Sequence, residues 1–96
     1  MAAAFWIAHV AVHDEEAYGR YAAIATKAIA AHGGEFLARG GRYRQMEGPD
    51  RPRNVVARFP SFEDAVACYE SERYQEALSH ARDAATRELV IVEAAE

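Results

Sequence analysis

A histidine inside an apolar strand, four tyrosines at helical spacing and two arginines are the side chains of this 96-residue sequence with chemistry to offer. His9 lies between Ala8 and Val10 in the run from Ala4 to Val12. Its ordinary pKa is close to neutrality, which makes it a candidate general base or ligand contact. The competing role is structural, because a polar group in a buried strand must find a partner across the sheet or across a subunit interface. Tyr18, Tyr21, Tyr69 and Tyr74 each carry a large apolar ring and one hydroxyl. Tyr69 joins His9 as a candidate acid or base. Arg39 stands beside Gly40-Gly41, where backbone can approach a ligand closely, and Arg82 falls on the last helix. Tyr18, Tyr21, Arg39, Tyr74 and Arg82, with Tyr69 and His9, grouped around a small cavity would suit a small acidic or aromatic compound. The same groups could equally bond to one another as a structural network.

Other chemistries are excluded by spacing. His9 and His13 sit four residues apart on a strand, so about 13 Å separates them. They cannot share an ion bound at ~2 Å. His32 and His80 fall on different helices with no spaced partner, so no metal site is expected, nor any cofactor. Cys68 is preceded by acids, which raise a thiol pKa and dull it, so it reads as a small packing residue. Ser61 and Ser71 stand where helices begin and read as caps before any catalytic role. The two glycine pairs lack the strand-loop-helix setting of a phosphate loop.

The elements that must position these groups follow from periodicity. Ala4 to Val12 reads as a strand, with Phe5, Ile7, His9 and Ala11 on one side and Trp6, Ala8, Val10 and Val12 on the other. Both faces are mostly apolar, so both need cover. Asp14 reads as the cap of a helix from Glu15 to about His32, with Tyr18, Tyr21, Ala25, Ala28 and Ile29 as its buried stripe. Gly33-Gly34 ends it. Glu35 to Arg39 reads as a second strand that bends or bulges at Gly40-Gly41 and continues weakly from Tyr43 to Glu47. Gly48 to Pro52 is a turn, and Arg53 to Phe59 a third strand. Ser61 with Asp64 matches a capping box for a helix whose stripe is Phe62, Ala65, Val66 and Tyr69. A break near Ser71 starts a second short helix running to about Ala85, and Glu88 to Glu93 closes the chain as a strand. The order β-α-β-β-α-β predicts an α+β, ferredoxin-like antiparallel sheet with helices on one face, in a single domain over residues 1–96.

Composition adds an expectation about assembly. Apolar residues make up 51% of the chain, but 22 of them are alanine, so the core is thin for a lone domain. A homodimer that covers the bare sheet face would supply the missing burial. The formal charge is −4, yet Arg39 to Arg58 holds six arginines against Glu47 and Asp50. Such a local excess could hold a small anion, or be solvated and paired with acidic helices. Nucleic acid is not an expected partner, because the net charge is negative and no long basic face emerges. No apolar run reaches the ~18 residues of a membrane span and no signal-peptide pattern is present, so a membrane is not expected either. A single cysteine fits a reducing cytoplasm.

The pieces in their order resemble DUF1330, a family of small bacterial proteins built on a domain of unknown function. The resemblance is carried by Ala17-Tyr18 with Tyr21, His32-Gly33-Gly34, the run Phe36 to Gly41, Glu47-Gly48, Phe59-Pro60-Ser61, Cys68 to Ser71, Tyr74-Gln75, Arg82 and Val90 to Glu93. Arg58 departs where an acid is common in the family, and Ala94 where a glycine is common. The resemblance implies a homodimer of the dimeric α/β-barrel type, with two sheets face to face. It assigns no reaction. Two functions therefore stand as expectations: a small dimer binding an anionic or aromatic compound, and a cofactor-free enzyme of monooxygenase or isomerase type by analogy of fold.

Overall fold

Trp6 decides which side of the sheet is inside. In the computed structural model, which describes residues 2–95, it is buried on the first strand together with Ala4, Ala8 and Val10. That strand, β1 (Ala4–Val12), pairs antiparallel with β3 (Arg53–Phe59) on one side and β4 (Ala85–Glu93) on the other. The second strand, β2 (Glu35–Arg39), pairs with β3, giving the order β2-β3-β1-β4. Three helices complete the chain: α1 (Glu15–Ala31), α2 (Phe62–Glu70) and α3 (Glu72–Ala81). This is the expected α+β, ferredoxin-like arrangement.

Local signals explain the helix ends. The Asp14 carboxylate accepts from Ala17 N at 3.1 Å, with Glu15 and Glu16 in the first turn of α1. Gly34 allows close approach at the other end. A Cβ there would stand 2.6 Å from Ile29 Cγ2 and 2.8 Å from Phe59 Cε2. Ser61 caps α2 by accepting from Asp64 N at 3.0 Å. Ser71 serves two helices at once: its Oγ donates to Cys68 O at 2.7 Å and accepts from Tyr74 N at 3.2 Å. The break it imposes turns Tyr69 and Tyr74 toward each other and toward Trp6, with ring centroids 5.2, 5.8 and 5.0 Å apart.

Several local expectations are corrected. β2 stops at Arg39, and residues 43–47 form no strand. They lie in an exposed loop that joins no strand of the sheet among the described residues, with Tyr43 donating to the Asp50 carboxylate. The bulge falls between Phe36 and Ala38 rather than at the glycines. α3 ends at Ala81 and β4 begins at Ala85, earlier than the hydrophobic run alone suggested. Cys68 rather than Phe62 belongs to the buried stripe of α2; Phe62 is exposed.

The sheet has two unlike faces. Under the helices, Trp6, Phe59 and Tyr74 form the largest buried group. The opposite face carries Phe5, Ile7, Val56, Val90 and Val92 on neighbouring strands, as the pairing register shows. Val90 and Val92 remain 54% and 44% exposed. Farther along that face the apolar patch gives way to His9, Asn54, Arg51 and Glu88.

Candidate ligand-binding site

Small residues open a gap between α1 and the sheet. Ala22 and Ala25 on the helix face Ala8 of β1, and the space between them is ringed by Trp6, Tyr18, Tyr21 and Phe36. It amounts to about 30 Å³, room for one or two waters or the oxygens of a small anion. Three arginines complete its wall: Arg39, Arg53 and Arg87. The sheet register brings them there. Arg53 and Arg87 both pair with Val10, one from each side, and Arg39 pairs with Val55.

Among the described residues, no carboxylate lines this cleft. Among the described residues, none of the three arginines forms an ion pair, whereas Arg20 and Arg51 hold Glu16 and Glu88. Arg39 Nη2 donates to Thr26 Oγ1 at 2.7 Å and its guanidinium stacks 4.4 Å from the Phe36 ring. Arg53 lies 5.7 Å from the Tyr18 ring. It also covers Gly40, whose φ is +65° and where a Cβ would meet Arg53 Nη1 at 2.8 Å. Arg87 goes deepest. Its Nη2 donates to Tyr21 Oη at 2.8 Å and to Tyr74 Oη at 3.1 Å, and its guanidinium carbon sits 4.7 Å from the Tyr21 ring centroid. The two phenol oxygens are 2.7 Å apart.

Counting protons shows what the cluster lacks. Tyr21 and Tyr74 own one hydroxyl proton each, and the bond between them uses only one. The Nε groups of Arg53 and Arg87 are buried without a hydrogen-bond partner. Donors are therefore in excess and acceptors are missing. Leaving buried donors and a cation unmatched is costly, and an anion would relieve both.

The phenols do not supply that anion. Burial pushes the Tyr21 hydroxyl well above its ordinary value of 10.0; neighbouring Tyr74 adds to the rise, and Arg87 only partly opposes it. Burial raises Tyr74 as well, against the pull of Arg87. Burial works against the charge on Arg87, and the opposing pull of Tyr21 and Tyr74 is exerted only by their ionised forms, so it is absent while both are neutral. At neutral pH the cluster thus holds a charged guanidinium and two neutral phenols. On unfolding, both phenols return to 10.0, so their contribution to stability is complete below that pH and is lost as pH rises beyond it. Thermal melts at about pH 8 and about pH 11 are expected to show a marked drop at the higher value, smaller in Tyr21→Phe.

The predicted site residues separate into groups. Tyr18, Tyr21 and Arg39 line the cleft, and Tyr74 braces it from behind through Tyr21 and Arg87. Tyr69 stands outside, on a neighbouring groove with Arg87, Leu89 and Ile91. Arg82 departs from the set: it is an exposed residue at the end of α3 and lines none of these spaces. His9 departs too. It projects from the opposite sheet face, where Nδ1 meets Asn54 Oδ1 at 2.7 Å. The Asn54 amide nitrogen donates to Arg51 O at 2.9 Å, so its oxygen accepts from His9 Nδ1. Arg53 and Arg87 were the residues sequence reading missed. Arg87 sits one place before the strand start chosen from the sequence, yet it alternates in phase with Leu89 and Ile91. No group of His, Cys, Asp and Glu among the described residues could hold a metal.

An antiparallel ferredoxin-like sheet with an arginine-lined cleft beneath its first helix defines the class of protein. The chain belongs to the DUF1330 family, a domain of unknown function, which matches residues 3–95. No curated protein matches it. Among solved structures it is similar to a protein of unknown function from Rhodopseudomonas palustris, at 20% identity and TM-score 0.79 over 99% of this chain and 84% of that one. A dimeric ferredoxin-like protein of unknown function from Thermobifida fusca shares 16% identity at TM-score 0.65, covering 97% of this chain and 92% of its own. A cofactor-independent oxygenase from Streptomyces nogalater shares 14% identity at TM-score 0.67, covering 100% and 96%. Likeness at these identities establishes the fold alone.

Proposed function

We propose that the protein is a homodimer that binds a small organic anion in the cleft between α1 and the sheet. The observation that carries this reading is Arg87, a guanidinium beneath the helices with phenols around it and no carboxylate beside it. Arg39 and Arg53 add two further unpaired cations to the same wall. A carboxylate would accept from their forked donors in the geometry arginine favours. The dimer is supported by the exposed Val90 and Val92 beside Phe5 and Ile7, a continuous apolar patch on the uncovered face. The Thermobifida fusca neighbour is itself described as dimeric. Burial pushes the Cys68 thiol up to about 11, so it is inert, in keeping with a reducing compartment such as the cytoplasm.

Binding is favoured over turnover by the position of the bases. His9 is separated from the cleft by the thickness of the sheet. The phenols inside are raised rather than lowered, so neither takes up a proton near neutral pH. Trp6, the one tryptophan, lines the cleft and reports on it. Titration with acetate is expected to change its fluorescence saturably, while ethanol, of similar size and no charge, leaves it flat. A flat response to acetate and to every other small carboxylate would overturn the anion site.

A further inference from the structure

Resting on that anion site, the shape around Arg87 says what the rest of the ligand is. The cleft has about 30 Å³, enough for an anionic head but not for a body. The body must therefore leave the cleft past one of its walls. Two grooves border those walls. One, of about 260 Å³, shares Arg53 and Tyr18 with the cleft and is bounded by Val10, Val12, Gly40, Pro52 and Glu15. The other, of about 330 Å³, shares Arg87 and is bounded by Tyr69, Leu89 and Ile91.

Charge separates the two. Glu15 stands in the first groove together with Arg53, where it offsets that cation and where a hydrocarbon body would have to strip water from its carboxylate. The second contains no acid; its only charge is Arg87, and its other walls are two aliphatic side chains and a phenol ring. Its volume lies at the small end of the ~300–1,000 Å³ range of ligand pockets, which suits one ring rather than a fused system. We propose that the ligand is a monocarboxylate with a single-ring hydrocarbon body, its carboxylate on Arg87 and its ring against Tyr69, Leu89 and Ile91. Arg87 is then the hinge point between a polar head site and an apolar body site. Tyr21 and Tyr74 occupy Nη2 of Arg87, which leaves Nη1 to meet the head.

The test compares benzoate, acetate and benzyl alcohol by Trp6 fluorescence and calorimetry. Burying one ring is expected to make benzoate bind about tenfold or more tightly than acetate, with benzyl alcohol binding weakly. In Leu89→Gln and in Ile91→Trp the ratio of benzoate to acetate affinity is expected to fall toward one. Two substitutions guard against one that fails to fold, and Glu15→Gln, in the other groove, should leave the ratio as it was. If acetate binds but benzoate gains nothing, the ring site is wrong and the anion site survives. If the ratio responds to Glu15→Gln and not to Leu89→Gln or Ile91→Trp, the body lies in the other groove and the proposal is overturned. If those two variants change only the oligomeric state, the groove is an interface between copies and the proposal is again overturned. If neither acid binds, both readings fail together.

Discussion

Replacing Arg87 with methionine is expected to abolish carboxylate binding and, in the same protein, to raise the melting temperature. The two effects have one cause. Arg87 is held under the helices by two neutral phenols and its Nε has no partner, so the folded state carries an unmatched cation. Substituting such a buried charge with an apolar chain of similar length is typically neutral or stabilising, here by about 1 kcal/mol. For a domain of this size that is a rise of roughly 4–8 °C. The bond between Tyr21 and Tyr74 persists without Arg87, so no new polar group is stranded. Binding responds in the opposite direction. Losing a desolvated charge that meets an oppositely charged ligand costs about 2–5 kcal/mol, or roughly thirtyfold to several thousandfold in affinity. Arg87→Lys keeps the charge and loses the fork, and is expected to bind acetate weakly. Calorimetric melts and Trp6 titrations on the same preparations check both halves. A variant that melts lower and still binds would make Arg87 a tie between two phenols and nothing more.

Val90→Arg is expected to convert the proposed dimer to monomers with little loss inside each subunit. Val90 is 54% exposed on the edge strand β4, where it pairs with Ile7 on the uncovered face. In a two-fold dimer each such substitution enters the contact twice. Burying the new charges against apolar groups raises the dissociation constant by an estimated factor of about a thousand, equivalent to ~4 kcal/mol. Sedimentation velocity at micromolar concentration should show a single slow species for the variant and a faster one for the parent. A parent chain that already sediments as a monomer would remove the basis for the assembly. The substitution lies on the face away from Arg87, so acetate binding measured on the monomer also tests whether the cleft is complete within one subunit.

The sequence carried the architecture because its signals are local. Asp14, Ser61 and Ser71 announce helix starts by their own side chains, and the alternation in Ala4 to Val12 marks two faces whatever lies beyond. Tyr18 and Tyr21 could be placed on the sheet side of α1 from spacing alone. Arg87 could not. Its neighbours Thr86 and Glu88 are polar, so the apolar run begins two residues after it, and only the pairing of Val10 with both Arg53 and Arg87 shows two cations converging. His9 was correctly assigned to the side of Phe5 and Ile7, but the same alternation removes it from the tyrosines, which approach from the other side. Arg82 lies apart for a different reason: α3 ends just before it, and the side chain there is exposed.

The bare Cα at position 40 and the guanidinium above it are sterically tied. A methyl group at residue 40 would sit 2.8 Å from Arg53 Nη1 on a backbone with φ of +65°, so any lineage acquiring a side chain there must swing the arginine outward and accept backbone strain as well. The guanidinium end can yield cheaply and the backbone cannot, so natural variants that abandon glycine at 40 should favour asparagine or aspartate, which tolerate the left-handed region, whatever stands at 53.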